Sequence, residues 1–355
     1  MDLLKAASTG TLDGTRSFNP NESVTVTYPG KADQTGQMTP LCYALNGKQL
    51  PTVALLLQRG ASPAQPWVLN KPGMPAQSKP PPFDKAPVRE LVGAMIAAPG
   101  PRPSVDILFD LIQSFSVAQR RELLASPEMH RELFRDAVAA DKLFLTMALM
   151  TGSYQWTTRP VELKDFWEGK RAHPPAPEDG GICCYEAVLL AAYHAGLTTR
   201  DRINEILPMS KPVAMPASVK TREDHARFRL QMTKQLIWDP IGCRHLDALP
   251  DASSQDVRLL CAVSRPHGAK KFDPNDAMPV HLFLCRGEHV LEINGERSMT
   301  GIPLRHTTLA QVQNELSQPK FSATGDGAVT LPVYLASMEA LLDNLCAKKF
   351  EAILG

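Results

Sequence analysis

An excess of charge of either sign is missing from this chain: 38 Lys and Arg stand against 37 Asp and Glu over 355 residues, a net charge of +1. The basic residues are spread along the sequence, so no electrostatic footprint for nucleic acid or for an anionic membrane surface is present, and neither is expected as a partner. Long apolar runs are missing as well. No stretch reaches the roughly 18 residues that a spanning helix needs, and the opening "MDLLKAASTGTLDG" has no basic segment leading into an apolar one, so neither a membrane anchor nor a secretory leader is expected. Seven cysteines, an odd number at irregular spacing, make no disulfide framework and suit a reducing, cytoplasmic compartment. Cys243 and His245 stand too close for a tetrahedral zinc pair and no second such pair follows, so no metal is expected. No glycine-rich phosphate loop follows a strand, which removes the usual nucleotide cofactors. The expected cofactor list is empty.

What is present is enough for a sizeable core, with 43% hydrophobic and 21% charged residues. The length favours two domains, since domains run about 100–200 residues. Thirty-one prolines are many, and they cluster. "NKPGMPAQSKPPPFDKAP" (70–87) and "AAPGPRP" (97–103) cannot form helix or central strand, because proline lacks the amide donor and fixes φ, so they read as loops between helices. A third cluster, "RAHPPAPEDGG" (171–181), marks the place where helical pairs give way to a mixed pattern. The sequence therefore predicts a domain over 1–155, a proline-rich linker over 156–180 and a second domain over 181–355.

Within the first domain, "MTPLCYALNGKQLPTVALLLQRGASPA" (38–64) carries Pro40 where a first helical turn tolerates it and Gly60 where a left-handed C-cap requires it. This segment resembles an ankyrin repeat. Thr39, Pro40, Leu41, Ala44, Leu50, Val53, Leu55, Leu56, Leu57, Gly60 and Ala61 fall on the pattern, while Lys48 stands at the inter-helix glycine and Cys42 at the histidine. One repeat cannot bury its own faces. The resemblance implies an all-α stack of three or four degenerate units over residues 1 to about 155, with "LLKAASTGTLDG" (3–14) as a capping helix and "HRELFRDAVAADKLFLTMALMTG" (130–152) as a later pair.

The second domain reads as helix followed by a mostly antiparallel sheet, an α+β layout. "CCYEAVLLAAYHAG" and 222–237 are predicted helices, "VRLLCAVS" (257–264) a strand, "PVHLFLCRGEHVLEING" (279–295) a hairpin turning at Arg286 and Gly287, and the C-terminal stretch ends in a helix.

The chemistry concentrates in "EDGGICCYEAVLLAAYHAGL" (178–197). Gly180 and Gly181 permit a tight entry. A thiol at the helix start then meets the positive end of the helix dipole and unpaired amides, which stabilise a thiolate and can hold an oxyanion. The helix is apolar on nearly every face, hence central and buried. In the predicted hairpin His281 faces Glu292, with Asn294 one diagonal further on the same face, and Leu282, Leu284, Leu291 and Ile293 on the other. A histidine beside two candidate orienting groups is what a Cys-His-Asn or Cys-His-Glu triad needs.

"CYEAVLLAAY" resembles the Cys-aromatic-Glu opening of papain-like domains in bacterial toxins and effectors. That resemblance implies a papain-like domain with a central Cys-bearing helix on an antiparallel sheet, Cys184 before Tyr185 as nucleophile with Cys183 a neighbour, His281 as general base, and Asn294 in preference to Glu292 as the orienting group. It departs from the family at Glu178, where an oxyanion glutamine is usual; an ionised carboxylate cannot donate to an oxyanion, so backbone amides near Cys184 would have to. The implied function is a protease-like thiol hydrolase acting on a protein substrate held by the ankyrin-like domain. A glutamine deamidase or acyl transferase would use the same triad, and a non-catalytic adaptor would use both domains for binding. Cytoplasmic residence, or export by a bacterium into a host cell, fits this combination by analogy of fold alone.

Overall fold

The computed structural model of the chain describes residues 2–12, 18–28, 31–157, 161–177, 181–206, 217–221, 224, 228, 244–245, 251–264, 278–293, 303–316 and 333–346. They fall into two units, Met1–Val138 and Ala139–Gly355. The first runs α1 (Asp2–Thr9), β1 (Val24–Tyr28), β2 (Lys31–Met38), α2 (Pro40–Asn46), α3 (Leu50–Gln58), β3 (Trp67–Asn70), β4 (Gln77–Lys79), α4 (Val88–Ala97), α5 (Val105–Ser114), α6 (Val117–Leu124) and α7 (Pro127–Leu133).

The expectation of an all-α first domain is overturned. An antiparallel sheet in the order β1-β2-β3-β4 stands within the first unit. Val24–Tyr28, "VTVTY", alternates β-branched residues with the period of two that a strand requires. The second strand, "KADQTGQM", has no such composition and is held by ladder bonds to its two neighbours. The proline-rich run over 70–87 is not all loop, for it contains β4; three exposed residues at the sheet edge are what proline nearby still permits.

Between the two hairpins, the segment that carries the repeat-like pattern folds as helix, turn, helix. Oγ1 of Thr39 accepts the Cys42 amide at 3.3 Å and Pro40 sits in the first turn of α2. Gly60, at φ +87°, closes α3 with its amide on the Leu57 carbonyl while the Ala61 amide reaches Leu56. Lys48 has φ +54°, alone in the left-handed region among described non-glycine residues, so the backbone takes the inter-helix conformation with a lysine where glycine would be unstrained.

The second unit begins with α8 (Ala139–Leu149), ahead of the proline-rich cluster expected to mark the boundary. Leu143 through Leu149 are all buried, and α8 packs on α10 (Cys184–His194) and on the strands beneath it. The predicted linker over 156–180 also contains structure: α9 (Val161–Trp167) buries Leu163, Phe166 and Trp167, and both rings lie edge-on to Tyr193 of α10. A two-stranded parallel pair, β5 (Gln155–Trp156) with β6 (Gly181–Ile182), brackets it, and α11 (Arg200–Ile206) packs on α9.

The remaining elements are β7 (Arg244–His245), β8 (Val257–Ser264), β9 (Met278–Arg286), β10 (His289–Glu292), β11 (Arg305–Thr308), α12 (Leu309–Leu316), β12 (Val333–Ala336) and α13 (Met338–Cys346). The strands form one antiparallel sheet in the order β11-β10-β9-β8-β12-β7. The α+β layout of this half is as expected; the helix predicted over 222–237 falls almost wholly outside the described residues. Among the described residues no helix is long and apolar enough to cross a membrane.

The hairpin turns one residue later than predicted. His289 pairs with Arg286 and Val290 with Cys285, leaving Gly287 and Glu288 as the loop. Gly287 has φ +59°, the left-handed conformation that a two-residue turn of the II′ kind needs at its first central position. A Cβ there would also stand 3.2 Å from the Ala252 carbonyl oxygen. Because a side-chain face repeats every second residue, this shift leaves His281 and Glu292 on one face but moves Glu292 from directly opposite to the diagonal.

Candidate active site

The thiol is delivered by a strand with no lateral room. Gly181 pairs with Gln155, and a Cβ on it would lie 2.6 Å from Cγ2 of Thr157, so the close approach itself demands glycine. Ile182 is buried behind it, Cys183 is the extended N-cap residue, and Cys184 is the first residue of α10. The Cys183 amide donates to Oε2 of Glu186 at 3.0 Å and is thereby spent. The amides that follow, beginning with that of Cys184, belong to the first turn, where an α-helix offers them no internal acceptor. Ala187 through Ala192 are fully buried, as the apolar run predicted. Cys184, at the end of this buried helix, is only partly covered. Glu178 and Gly180 lie outside the described residues.

The histidine comes from the strand on which α10 packs. His281 pairs with Ala262 of β8, but Val263 pairs with Pro279, so β9 carries one extra residue immediately before the histidine. Such a bulge twists the strand locally and re-aims the side chain beside it. The His281 ring stacks on Phe283, centroids 5.4 Å apart and planes at 27°. Its Nε2 lies 2.6 Å from Oε2 of Glu292, and the Cys184 side chain stands close enough to the ring to favour its protonated form. With Nε2 committed to the carboxylate, Nδ1 is the nitrogen left for the sulfur.

Burial, hydrogen bonding and charge compete at this pair. Desolvation alone would lower the His281 pKa; the Cys184 side chain beside the ring, and then the bond and charge of Glu292, outweigh it and push the imidazole up to about 10. Burial would likewise raise Glu292, but His281 and Arg305 hold its carboxyl below the usual range. The expected contrast between a polar and a buried face of the hairpin is not found. Phe283, Cys285 and Val290 are buried with His281 and Glu292, just as Leu282, Leu284, Leu291 and Ile293 are on the other face. Glu292 is thus not a solvated surface acid. Asn294, the preferred orienting group on sequence grounds, lies outside the described residues.

The two adjacent cysteines separate cleanly. Both are free thiols. Burial pushes the Cys183 thiol well up, and the Glu186 carboxylate beside it adds to the effect. Glu186 is itself raised to about 7 by burial. A raised pKa disfavours the thiolate at Cys183, whereas the Cys184 side chain, exposed to the same degree, is the one beside the imidazole.

Two participants were not anticipated. Arg305, opposite Glu292 in the ladder between β10 and β11, donates from Nε to Oε1 of Glu292 at 3.0 Å and from Nη2 to both Glu292 and Glu315. "RHTT" is too short to announce a strand, and no periodic pattern links residue 292 to residue 305; only the tertiary pairing does so.

Sequence models of protein families, curated proteins and solved structures offer no match to this chain.

Proposed function

We propose that this chain is a cysteine-dependent hydrolase of protease-like chemistry, with Cys184 as nucleophile, His281 as general base and then general acid, and Glu292 as the group that orients the imidazole. The contact of the His281 ring with Glu292 at 2.6 Å, with the Cys184 side chain beside the same ring at the start of α10, carries the reading. In the first step the Cys184 sulfur attacks an amide or thioester carbonyl, forming the S–C bond. The tetrahedral oxyanion is held by amides of the first turn of α10. The imidazolium of His281 gives its proton to the leaving amine or thiol as the C–N or C–S bond breaks. A water deprotonated by His281 then releases the acid and the free thiol.

On this reading the substrate is a protein recognised through the ankyrin-like segment around α2 and α3, whose caps and inter-helix backbone fit a repeat unit. The cut that tests this division follows Val138 rather than residue 155, because α8 packs on α10. A chain lacking residues 1–138 should still turn over a small activated ester and should lose activity on the protein partner.

The decisive measurement is mass spectrometry of the intact chain after an activated-ester probe. One acyl group on Cys184, none on Cys183 and none in Cys184→Ala is expected. Equal labelling of both cysteines, or labelling at the rate of a free thiol in solution, would rule the assignment out. The mass of the treated partner then separates cleavage from the gain of about one dalton that deamidation gives.

A further inference from the structure

We infer that Arg305, braced by Glu315, is a positioning residue for the proposed thiol–imidazole pair, setting both the direction and the charge of Glu292. The inference rests on the catalytic reading above and names what that reading leaves out: why a glutamate can serve in the interior of a sheet.

A carboxylate has about four acceptor directions and can swing between them. In Glu292 the two oxygens are divided, Oε2 to His281 and Oε1 to Nε and Nη2 of Arg305. Two donors of one planar guanidinium converge on Oε1 and hold it in place, which leaves Oε2 turned to Nε2 of His281. The guanidinium is itself anchored. Leu304, fully buried, takes the Gly152 amide at 2.6 Å and gives its own amide to Tyr154 at 2.9 Å, which holds the start of β11. On its far side Arg305 is held by Oε2 of Glu315, whose Oε1 accepts from Gln311, whose Oε1 accepts from the Thr307 hydroxyl.

Behind Cys184 the charges alternate: the imidazolium of His281, the carboxylate of Glu292, the guanidinium of Arg305 and the carboxylate of Glu315. Around the pair stand Cys183 and Glu186 from α10, Glu292 from β10, Arg305 from β11 and Glu315 from α12, while β8 presents Ala262 opposite His281. Removing a cation from this set raises the proton affinity of every group near it, and removing an anion lowers it. Arg305→Gln and Glu315→Gln should therefore move the titration of the pair in opposite directions, which loss of packing alone would not do.

The test is the pH dependence of Cys184 alkylation by iodoacetamide in the full-length chain, a readout that needs no substrate. In the native chain the rate rises with the ion pair. Arg305→Gln should move the midpoint up by about one unit, and Glu315→Gln should move it down by about 0.3, being farther away and partly exposed. Arg305→Lys keeps the charge and loses the fork, so its midpoint should stay while the plateau rate drops several-fold. Profiles that superimpose on the native one, or shift with the same sign in both Gln variants, would overturn the role of Arg305 and leave the thiol–imidazole pair standing. Native Cys184 reacting as an ordinary free thiol would overturn the pair itself, and the role of Arg305 with it. If Arg305→Gln does not fold, Glu315→Gln decides: a downward shift supports the inference and an unmoved midpoint refutes it.

Discussion

Arg102 in the first unit and Arg305 in the second both hold a glutamate, but the buried partner differs. The Arg102 side chain is 3% exposed against 41% for Glu132, and it spends its donors on the carbonyls of Met95, Ile96 and Glu132 as well as on the carboxylate. It closes the end of α4 and ties it to α7, with the charge on the acid left in water. Arg305 is 23% exposed against 1% for Glu292. There the acid is the buried member, and its second oxygen faces a histidine that faces a thiol. The same ion pair is a staple when its cation answers backbone carbonyls, and part of a site when its anion is turned inward onto a titratable group. Burial of an ion pair by itself says little about either role.

Changes at the thiol should break the contrast most completely. Cys184→Ala is expected to abolish turnover, and Cys183→Ala to leave most of it, read as initial rates on an activated ester with both variants shown folded by circular dichroism. Next in size, Glu292→Gln should cost roughly a hundredfold to ten-thousandfold in kcat. Loss of the carboxylate charge also lowers the His281 pKa from about 10, so the alkaline limb of the pH–rate profile moves to lower pH. An unmoved limb would remove Glu292 from the site.

On the other side of the comparison, Arg102→Met removes the side-chain donor from the Met95 and Ile96 carbonyls and should destabilise the chain by about 2–4 kcal/mol in urea unfolding. Its pH profile of Cys184 alkylation should match the native one, and any shift would show that Arg102 also acts on the thiol. Glu186→Gln should act on stability with a pH signature. The native acid, raised to about 7 from 4.5, is well accommodated when protonated, and its contribution is lost as pH rises from about 4.5 through 7. The variant should therefore flatten the stability–pH curve over that window and gain on the order of 1–3 kcal/mol above pH 7; no change in slope would show that burial of the carboxylate is relieved in some other way. Smallest of all, Arg135→Ala, which removes ion pairs to Glu132 and Asp136 with all three side chains well exposed, should change stability by less than about 1 kcal/mol.

Much of the local structure was legible because its causes are local. Thr39, Pro40 and Gly60 announce a helix start and a helix stop through a hydroxyl, a missing amide and a missing Cβ, and each takes the conformation those features dictate. The apolar run after Cys184 announced a buried helix for the same reason. The sheet in the first unit was not legible from β2 or β4, whose residues carry no strand preference and are strands only because neighbours supply the ladder.

The candidate site divides along the same line. That His281 and Glu292 share a face could be read from the period of two, whether the turn falls at 286 or at 287, whereas Cys184 as their partner was implied by the family resemblance, which preferred Asn294 to Glu292. Which glutamate oxygen the histidine meets, that this acid is buried and not solvated, and that Arg305 and Glu315 stand behind it were decided by tertiary structure alone. Parity along a strand is a property of the backbone and survives an error of register by one position in the turn. Burial depends on how many strands and helices cover a face, and pairing across 13 residues of chain depends on where β11 returns. No local pattern encodes either.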